Sequence, residues 1–454
     1  MSSHVPVVLR VDRPRRAAYD LLHAVGADDA YANLTLPTIL ATYGLSGRDA
    51  AFTTELAFTT LRWRGFIDPV LERCVDRPLD RLDPQVHDLL RLGVAQILFM
   101  RVPIHAAVSE SVQLTREVRG EGASKLVNAV LRKVGARSLD EWGVVIVDGV
   151  VDESARLARR WSHPLWVVNA LREALQDSGA NADEIVELLA IDNESPGVTL
   201  VARPGLCEVD ELLEVEGAQP GRWSPYAVRL DHGSPSDIPA VRRSRAGVQD
   251  EGSQLIAIAL ASAPLEGRDE HWLDLCAGPG GKAALLAAIA SQRGASVTAV
   301  EPVPHRAELV RKVTRDLPVD VLEIDGRSDG IAAGGFDRVL VDAPCTGLGV
   351  LRRRPEARWR RQPSDVSALA SLQRELLTAA LRAVRPGGVV LYSTCSPHLA
   401  ETDLVVEDVL KSVPNVTRVA LCLVDGDEPS TGARLWPHRH GTDGMYAALL
   451  RRDR

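Results

Sequence analysis

The sequence predicts an all-α domain over residues 1–140, a small α+β segment over 141–247 and a doubly wound α/β domain over 248–454. Three observations carry that prediction. Apolar residues recur at three- and four-residue spacing up to Val134, with few strand signals. Proline and glycine are dense near 220–223 and 234–239, marking loops between short elements. After His271, short apolar β-type runs alternate regularly with helical stretches, as in a mainly parallel sheet. A chain of 454 residues also exceeds what one core usually supports, so two or three domains are expected.

Composition narrows the class. A hydrophobic content of 45% with 25% charged residues is ordinary for a soluble globular protein. No apolar run approaches the roughly 20 residues of a membrane span. Residues 1–10, M-S-S-H-V-P-V-V-L-R, lack a basic region followed by an apolar core, so no signal peptide is expected and the protein reads as cytoplasmic. Six cysteines lie scattered at 74, 207, 276, 345, 395 and 422 with no C-x-x-C pair. That argues against a zinc site or a disulfide framework and fits a reducing compartment. No metal is expected, and free thiols remain available for chemistry. A net charge of −8 does not advertise nucleic-acid binding. The basic residues are nearly all arginine, as in GC-rich coding, so local clusters are a better guide than the total.

In the first domain, 15–25 reads as one amphipathic helix and 48–63 as another. Asp83 at an N-cap with Pro84 at N1 starts a third through Leu98, ended by Val102-Pro103. A fourth lies around 108–118 and a fifth over 124–133, completing a bundle. Residues 139–248 say less. Ser162 or His163 is expected near the cap of a helix opening there, 193–197 is a turn and 198–203 a strand. An apolar helix at 255–263, preceded by V-Q-D-E-G-S-Q, marks the entrance to the last domain.

That domain is organised around L-D-L-C-A-G-P-G-G-K at 273–282. The run 271–275 reads as a buried strand, Gly278, Gly280 and Gly281 as a tight turn, and 282–290 as a strong helix former. Backbone N–H groups at such a strand–turn–helix junction can face a ligand without side-chain obstruction, although glycine could serve packing alone. The loop is neither the dinucleotide G-x-G-x-x-G nor a phosphate-binding loop with Lys-Ser/Thr. Further strands are expected at 296–300, 320–324, 336–341 and 389–394, the last preceded by the turn R-P-G-G at 385–388. Ligands of open α/β sheets collect at the carboxyl ends of strands. Gly278, Glu301, Asp325, Asp342 and Cys395 all fall there.

Glu301, about 20 residues past the glycine turn, is placed to hydrogen-bond ribose hydroxyls. Asp325 could accept from an adenine amino group, and for either acid the alternative is a helix N-cap. No basic cluster is available for a diphosphate, which favours a phosphate-free adenosyl ligand over a nicotinamide dinucleotide. Two cysteines, in D-A-P-C at 342–345 and S-T-C-S at 393–396, follow neighbouring buried strands. A buried cysteine is usually a small hydrophobe. Two of them opening onto one cleft, with Asp342 nearby, suit a thiolate that attacks a ring carbon and is later released.

These motifs resemble the RsmB/Sun (Fmu) family of RNA 5-methylcytosine methyltransferases. The resemblance rests on the loop at 273–282, D-A-P-C-T-G-L-G-V-L-R-R-R-P-E at 342–356, Y-S-T-C-S at 392–396 and G-T-D-G-M-Y at 441–446. At the other end, H-A-A-V at 105–108 and V-N-A-V-L-R at 127–132 resemble a NusB-type RNA-binding domain. It implies a Rossmann-like domain using S-adenosylmethionine, preceded by a NusB-like domain that helps dock RNA, with ribosomal RNA of the small subunit as the nearest substrate class. The family's mechanism implies that Cys395 adds to carbon 6 of a cytosine, Asp342 supports the addition near nitrogen 3, and Cys345 assists loss of the carbon-5 proton. In DNA cytosine methyltransferases the P-C cysteine is the nucleophile; the T-C motif at Cys395 discriminates. The cofactor is expected against Cys276, Ala277, Gly278, Pro279, Gly280, Gly281, Lys282, Glu301, Arg306, Asp325 and Asp342. The chain departs from the family in having Gly278 where alanine is common and Glu301 where aspartate is frequent. Glu401-Thr402 also stands where Glu-Asn often follows the sixth motif.

Arg352, Arg353, Arg354, Arg358 and Trp359, in an arginine run after Cys345, suit phosphate contact and base stacking, against the alternative of a solvated loop. A duplex cytosine would have to be flipped out to reach Cys395. Two rival functions stay open: the same chemistry on transfer RNA, and an RNA-binding assembly factor that no longer methylates. The protein is expected to act as a monomer.

Overall fold

A computed structural model describes residues 12–27 and 30–454. The expectation about a signal peptide in residues 1–10 lies outside them. The described residues fall into two compact units: one runs to Asn169 and takes in Leu351–Arg360, and the other comprises Ala170–Val350 with Arg361–Arg454. These divisions differ from the expected boundaries at 140 and 247. The helices just after 140 stay with the first unit, and the small sheet joins the second.

The first unit is helical throughout. Helix Pro84–Leu98 starts as its sequence requires, with the Asp83 carboxylate accepting from Gln85 N and Val86 N and proline at N1. The expected fourth and fifth helices are one long element, Ile104–Val134, broken at Gly120 with φ of 83°. Helices Ala32–Tyr43 and Arg64–Glu72 lacked a clear periodic signal and were not expected. Ser162 serves other helix ends than the one that follows it: it is buried with φ of 57°, and its hydroxyl donates to Arg62 O while accepting from Gly65 N. The next helix begins at Leu165.

The second unit holds two sheets. Strands β1 (Val198–Ala202), β2 (Ala218–Pro220), β3 (Ala227–Leu230) and β4 (Ala246–Val248) form a small antiparallel sheet in the order β2-β3-β1-β4. The large sheet is built on β5 (His271–Asp274), β6 (Ser296–Val300), β7 (Val319–Leu322), β8 (Phe336–Asp342) and β9 (Val384–Thr394), all paired in parallel. Antiparallel strands β10 (Val416–Val419), β11 (Ala433–Leu435) and β12 (Met445–Arg452) extend it, with β12 on β9. The expected turn at 385–388 lies inside β9 as a register shift against β8, with Gly387 at a positive φ of 79°.

The order β10-β12-β9-β8-β5-β6-β7 runs outward from β5 in both directions, so the chain switches side between β5 and β8. A crevice at the strands' carboxyl ends is the consequence at such a switch point. Helix Gly281–Ser291 after β5 has eight buried residues from Ala283 to Ala290, so it is apolar all round because it is packed on every side. Among the described residues no helix is long and apolar enough to cross a membrane. None of their His, Cys, Asp and Glu side chains form a group of three or more that could hold a metal ion.

Candidate active site at the carboxyl ends of the parallel strands

The turn after β5 is fixed by backbone bonds: Ala277 N donates to Val300 O at 2.9 Å and Gly280 N to Ala277 O at 2.7 Å. Gly280, at φ of 109°, occupies a conformation that side chains rarely adopt, and an added Cβ would stand 3.1 Å from Val310 Cα. At Gly281 an added Cβ would meet nothing nearer than the Gln249 amide at 3.8 Å, so the helix N-terminus opens onto free space. Glu301, at the end of β6, is buried and accepts from Val303 N at 3.0 Å. Arg306 bridges the two strand ends, donating to Gly278 O at 2.6 Å and pairing with Glu301 at 3.3 Å. A carboxylate beside an open, glycine-lined N-terminus, with Arg306 and Lys282 each already paired with an acid, fits an uncharged ribose and an adenosyl group.

Asp325 is placed otherwise. Both its oxygens are held by the Arg327 guanidinium at 2.9 and 2.6 Å, and those hydrogen bonds pull its pKa down to about 2. Its neighbour Gly326 packs against Leu275, which keeps Asp325 near the glycine loop. To accept from an adenine amino group it would have to share an oxygen with Arg327.

Asp342 ends β8 and meets Lys282 Nζ at 2.8 Å and Ser393 Oγ at 3.2 Å. Burial works against the Lys282 ammonium, but attraction from Asp342, and less strongly from Cys395, holds its pKa above the ordinary value. Cys345 and Cys395, from the two strand-end loops, lie with sulfurs 3.3 Å apart. The hydrogen bond to Cys395, followed by burial, pushes the Cys345 thiol well above the usual range.

Several groups at the site escaped sequence reasoning. Asp274, within the glycine motif itself, is fully buried and its pKa is raised to about 7, first by burial and then by the Asp342 charge. Its Oδ1 accepts weakly from Cys276 N at 3.3 Å, whereas Oδ2 has no partner. Glu401 lies buried beneath both cysteine loops, hydrogen-bonded to residues that follow each cysteine. The G-T-D-G motif acts here too: Gly444 N donates to Gly349 O at 2.7 Å and Gly349 N to Cys395 O at 2.8 Å. A Cβ at Gly349 would collide with Gly444 O, which explains glycine at both positions.

The arginine run requires a correction. Arg352 and Arg358 are buried inside the first unit rather than presented to phosphate. Arg358 donates to Arg62 O at 3.2 Å and to Ser162 O at 3.0 Å, and Trp359 Nε1 to Leu61 O at 3.1 Å. Helix Gly47–Arg62 ends there, and its last carbonyls lack intrahelical partners, so this segment serves as a side-chain cap. The Trp359 ring packs against Gly65, and the Arg64 guanidinium lies 5.7 Å from its centroid. Arg354 is exposed and Arg353 half-buried.

A family model described as 16S rRNA methyltransferase RsmB/F matches residues 260–451, and one described as NusB family matches 12–136. The Mycobacterium tuberculosis protein Rv1407, named for a methyltransferase, is 51% identical over 97% of each chain. Ribosomal RNA small subunit methyltransferase B of Pasteurella multocida is 33% identical over 89% of each chain. The crystal structure of PH0851 shares the fold, with a TM-score of 0.80 at 23% identity over 97% of this chain and 99% of that one.

Proposed function

The chain belongs to the RsmB/F family of S-adenosylmethionine-dependent rRNA methyltransferases, and we propose that it methylates carbon 5 of a cytosine through a covalent cysteine adduct. The observation that carries this reading is the pair of sulfurs 3.3 Å apart, next to the Asp342–Lys282 ion pair. The Lys282 ammonium, held by Asp342, lies near enough to Cys395 to favour its thiolate. The Cys395 thiolate forms a bond to carbon 6, and the electron pair displaced from the 5,6 double bond makes carbon 5 nucleophilic. As negative charge builds on the ring, a proton delivered near nitrogen 3 through Asp342, itself paired with Lys282 Nζ, neutralises it and is returned on elimination.

Carbon 5 then attacks the methyl carbon of S-adenosylmethionine, and S-adenosylhomocysteine leaves. Once Cys395 is bonded to carbon 6, the hydrogen bond that raises the Cys345 thiol is gone; Cys345 then gives its proton to solvent, and the thiolate takes the carbon-5 proton. Elimination re-forms the 5,6 double bond and frees the Cys395 thiolate. For the cofactor, backbone groups of Cys276, Ala277, Gly278, Pro279, Gly280, Gly281 and Lys282 supply the cradle. Glu301, steadied by Arg306, accepts from the ribose hydroxyls, and Asp342 borders the methyl-bearing end. Asp325 has the weaker claim, because Arg327 holds both oxygens. Exposed Arg354 and half-buried Arg353 remain as candidate phosphate contacts. We read the protein as a cytoplasmic monomer acting on small-subunit ribosomal RNA, since its chemistry needs reduced thiols.

The test is chemical trapping. Cys345→Ala with unmodified ribosomal RNA and S-adenosylmethionine should accumulate an RNA–protein adduct stable to denaturing electrophoresis, and Cys395→Ala should not. The reverse pattern overturns the assignment of the two sulfurs. Transfer of labelled methyl to transfer RNA but not ribosomal RNA would move the substrate class. Labelling of neither by the wild type would favour a non-catalytic RNA-binding role.

A further inference from the structure

Glu401 is fully buried, and none of the chemistry above uses it. Its Oε1 accepts from Thr346 N at 2.8 Å and Gln373 Nε2 at 3.2 Å, and its Oε2 meets Thr346 Oγ1 at 2.5 Å and Ser396 Oγ at 2.6 Å. Thr346 and Ser396 are the residues immediately after Cys345 and Cys395. Their hydroxyls also approach each other at 3.0 Å, and both have Oε2 of Glu401 within hydrogen-bond reach. Gln373 reaches the first loop a second time through Pro344 O at 2.8 Å, and the Tyr392 hydroxyl holds Glu401 from above through its backbone carbonyl at 2.7 Å.

We propose that Glu401 is a positioning residue that sets the separation of the two sulfurs. One buried carboxylate gathers the loop after β8 and the loop after β9 through Thr346 and Ser396. Both loops carry their cysteine one residue before the tie. A shift at Thr346 or Ser396 therefore passes to Cys345 or Cys395 with no flexible segment between. The catalytic significance of that separation rests on the reading above, but the separation itself can be measured without it.

The experiment reads the rate at which purified full-length protein forms a Cys345–Cys395 disulfide with diamide, an azo oxidant that takes up the two electrons and two protons released by the thiols. Disulfide is quantified by peptide mass spectrometry, beside kcat, KM for RNA and Kd for S-adenosylhomocysteine. Glu401→Gln keeps an acceptor for Thr346 N and turns its amide toward hydroxyls that can rotate to accept. It should stay within about threefold of wild type in both rates. Glu401→Ala should lose at least tenfold in disulfide rate and in kcat, with KM and Kd unchanged. Thr346→Val keeps volume but removes one tie, so it should lie between them, and it serves if the alanine variant does not fold. A variant that loses kcat while its disulfide forms at the wild-type rate would overturn the proposal, as would Glu401→Gln falling as far as Glu401→Ala. If Cys345→Ala traps no RNA adduct, the proposed reaction fails while the disulfide rates still decide the role of Glu401.

Discussion

The resemblance noted two departures in the cofactor loop, Gly278 for alanine and Glu301 for aspartate, and the structure makes them one feature. A Cβ added at Gly278 would fall on the Glu301 carboxylate, 2.8 Å from its Cδ, and 3.0 Å from Arg306 Nε. Carbon atoms in contact prefer about 3.5–4.0 Å, so Gly278→Ala forces the carboxylate back by about 1 Å. Shortening Glu301 to aspartate withdraws the same group by one carbon–carbon bond, about 1.5 Å. Glycine therefore makes room for the longer acid, and the single substitution should displace the ribose acceptor from Val303 N and Arg306. Losing one hydrogen bond to a charged group costs about 1.5–3 kcal/mol, which is roughly 10- to 150-fold in affinity. Titration calorimetry with S-adenosylhomocysteine on wild type, Gly278→Ala, Glu301→Asp and the double variant closes the cycle. Both single variants should bind weakly, and the double variant should recover most of the loss, a coupling of about 1 kcal/mol or more. Wild-type affinity in Gly278→Ala, or losses that simply add in the double variant, would refute the steric argument.

Asp274 predicts a pH dependence of opposite sign to most carboxylates. Its folded-state pKa of about 7 lies above the ordinary 3.8, so its contribution to stability is complete below pH 4 and is lost as pH rises through 7. Three pH units at about 1.4 kcal/mol each bound the loss at roughly 4 kcal/mol. Hydrogen exchange of β5 amides should therefore be matched in wild type and Asp274→Asn near pH 4, with the variant better protected at pH 8; equal protection at both would sink it. Arg358→Met should lower the stability of the helical unit by about 3 kcal/mol or more, since two hydrogen bonds from a charged donor are lost. The salt dependence of its RNA affinity should match wild type. A stable variant whose log–log salt slope falls by about one would instead return Arg358 to the phosphate backbone.

What the sequence made legible at the site was carried by the backbone. A parallel sheet aligns the carboxyl ends of its strands, so residues just past Leu273, Val300, Val341 and Thr394 had to share one edge. Pairing of Asp342 with Ser393 puts Cys345 and Cys395 on adjacent loops by register alone. Glu401 had no such signal. Its side-chain partners lie 5, 28 and 55 residues back in the chain, and a buried acid reads in sequence like any surface glutamate. Strands β10 to β12 were missed because they pair antiparallel at the edge without the β–helix alternation that identified the others.

The arginine run shows the same limit from the other side. Six arginines around a tryptophan carry the composition of a nucleic-acid contact, and composition records charge but not acceptor. The acceptors are upstream carbonyls, Arg62 O at a helix end at a sequence separation of 296 and Ser162 O at 196. A guanidinium over unpaired helix carbonyls and one over a phosphate satisfy the same donors with the same geometry. The structural choice between them at 351–360 was therefore made by folding, through which acceptor was already buried within reach.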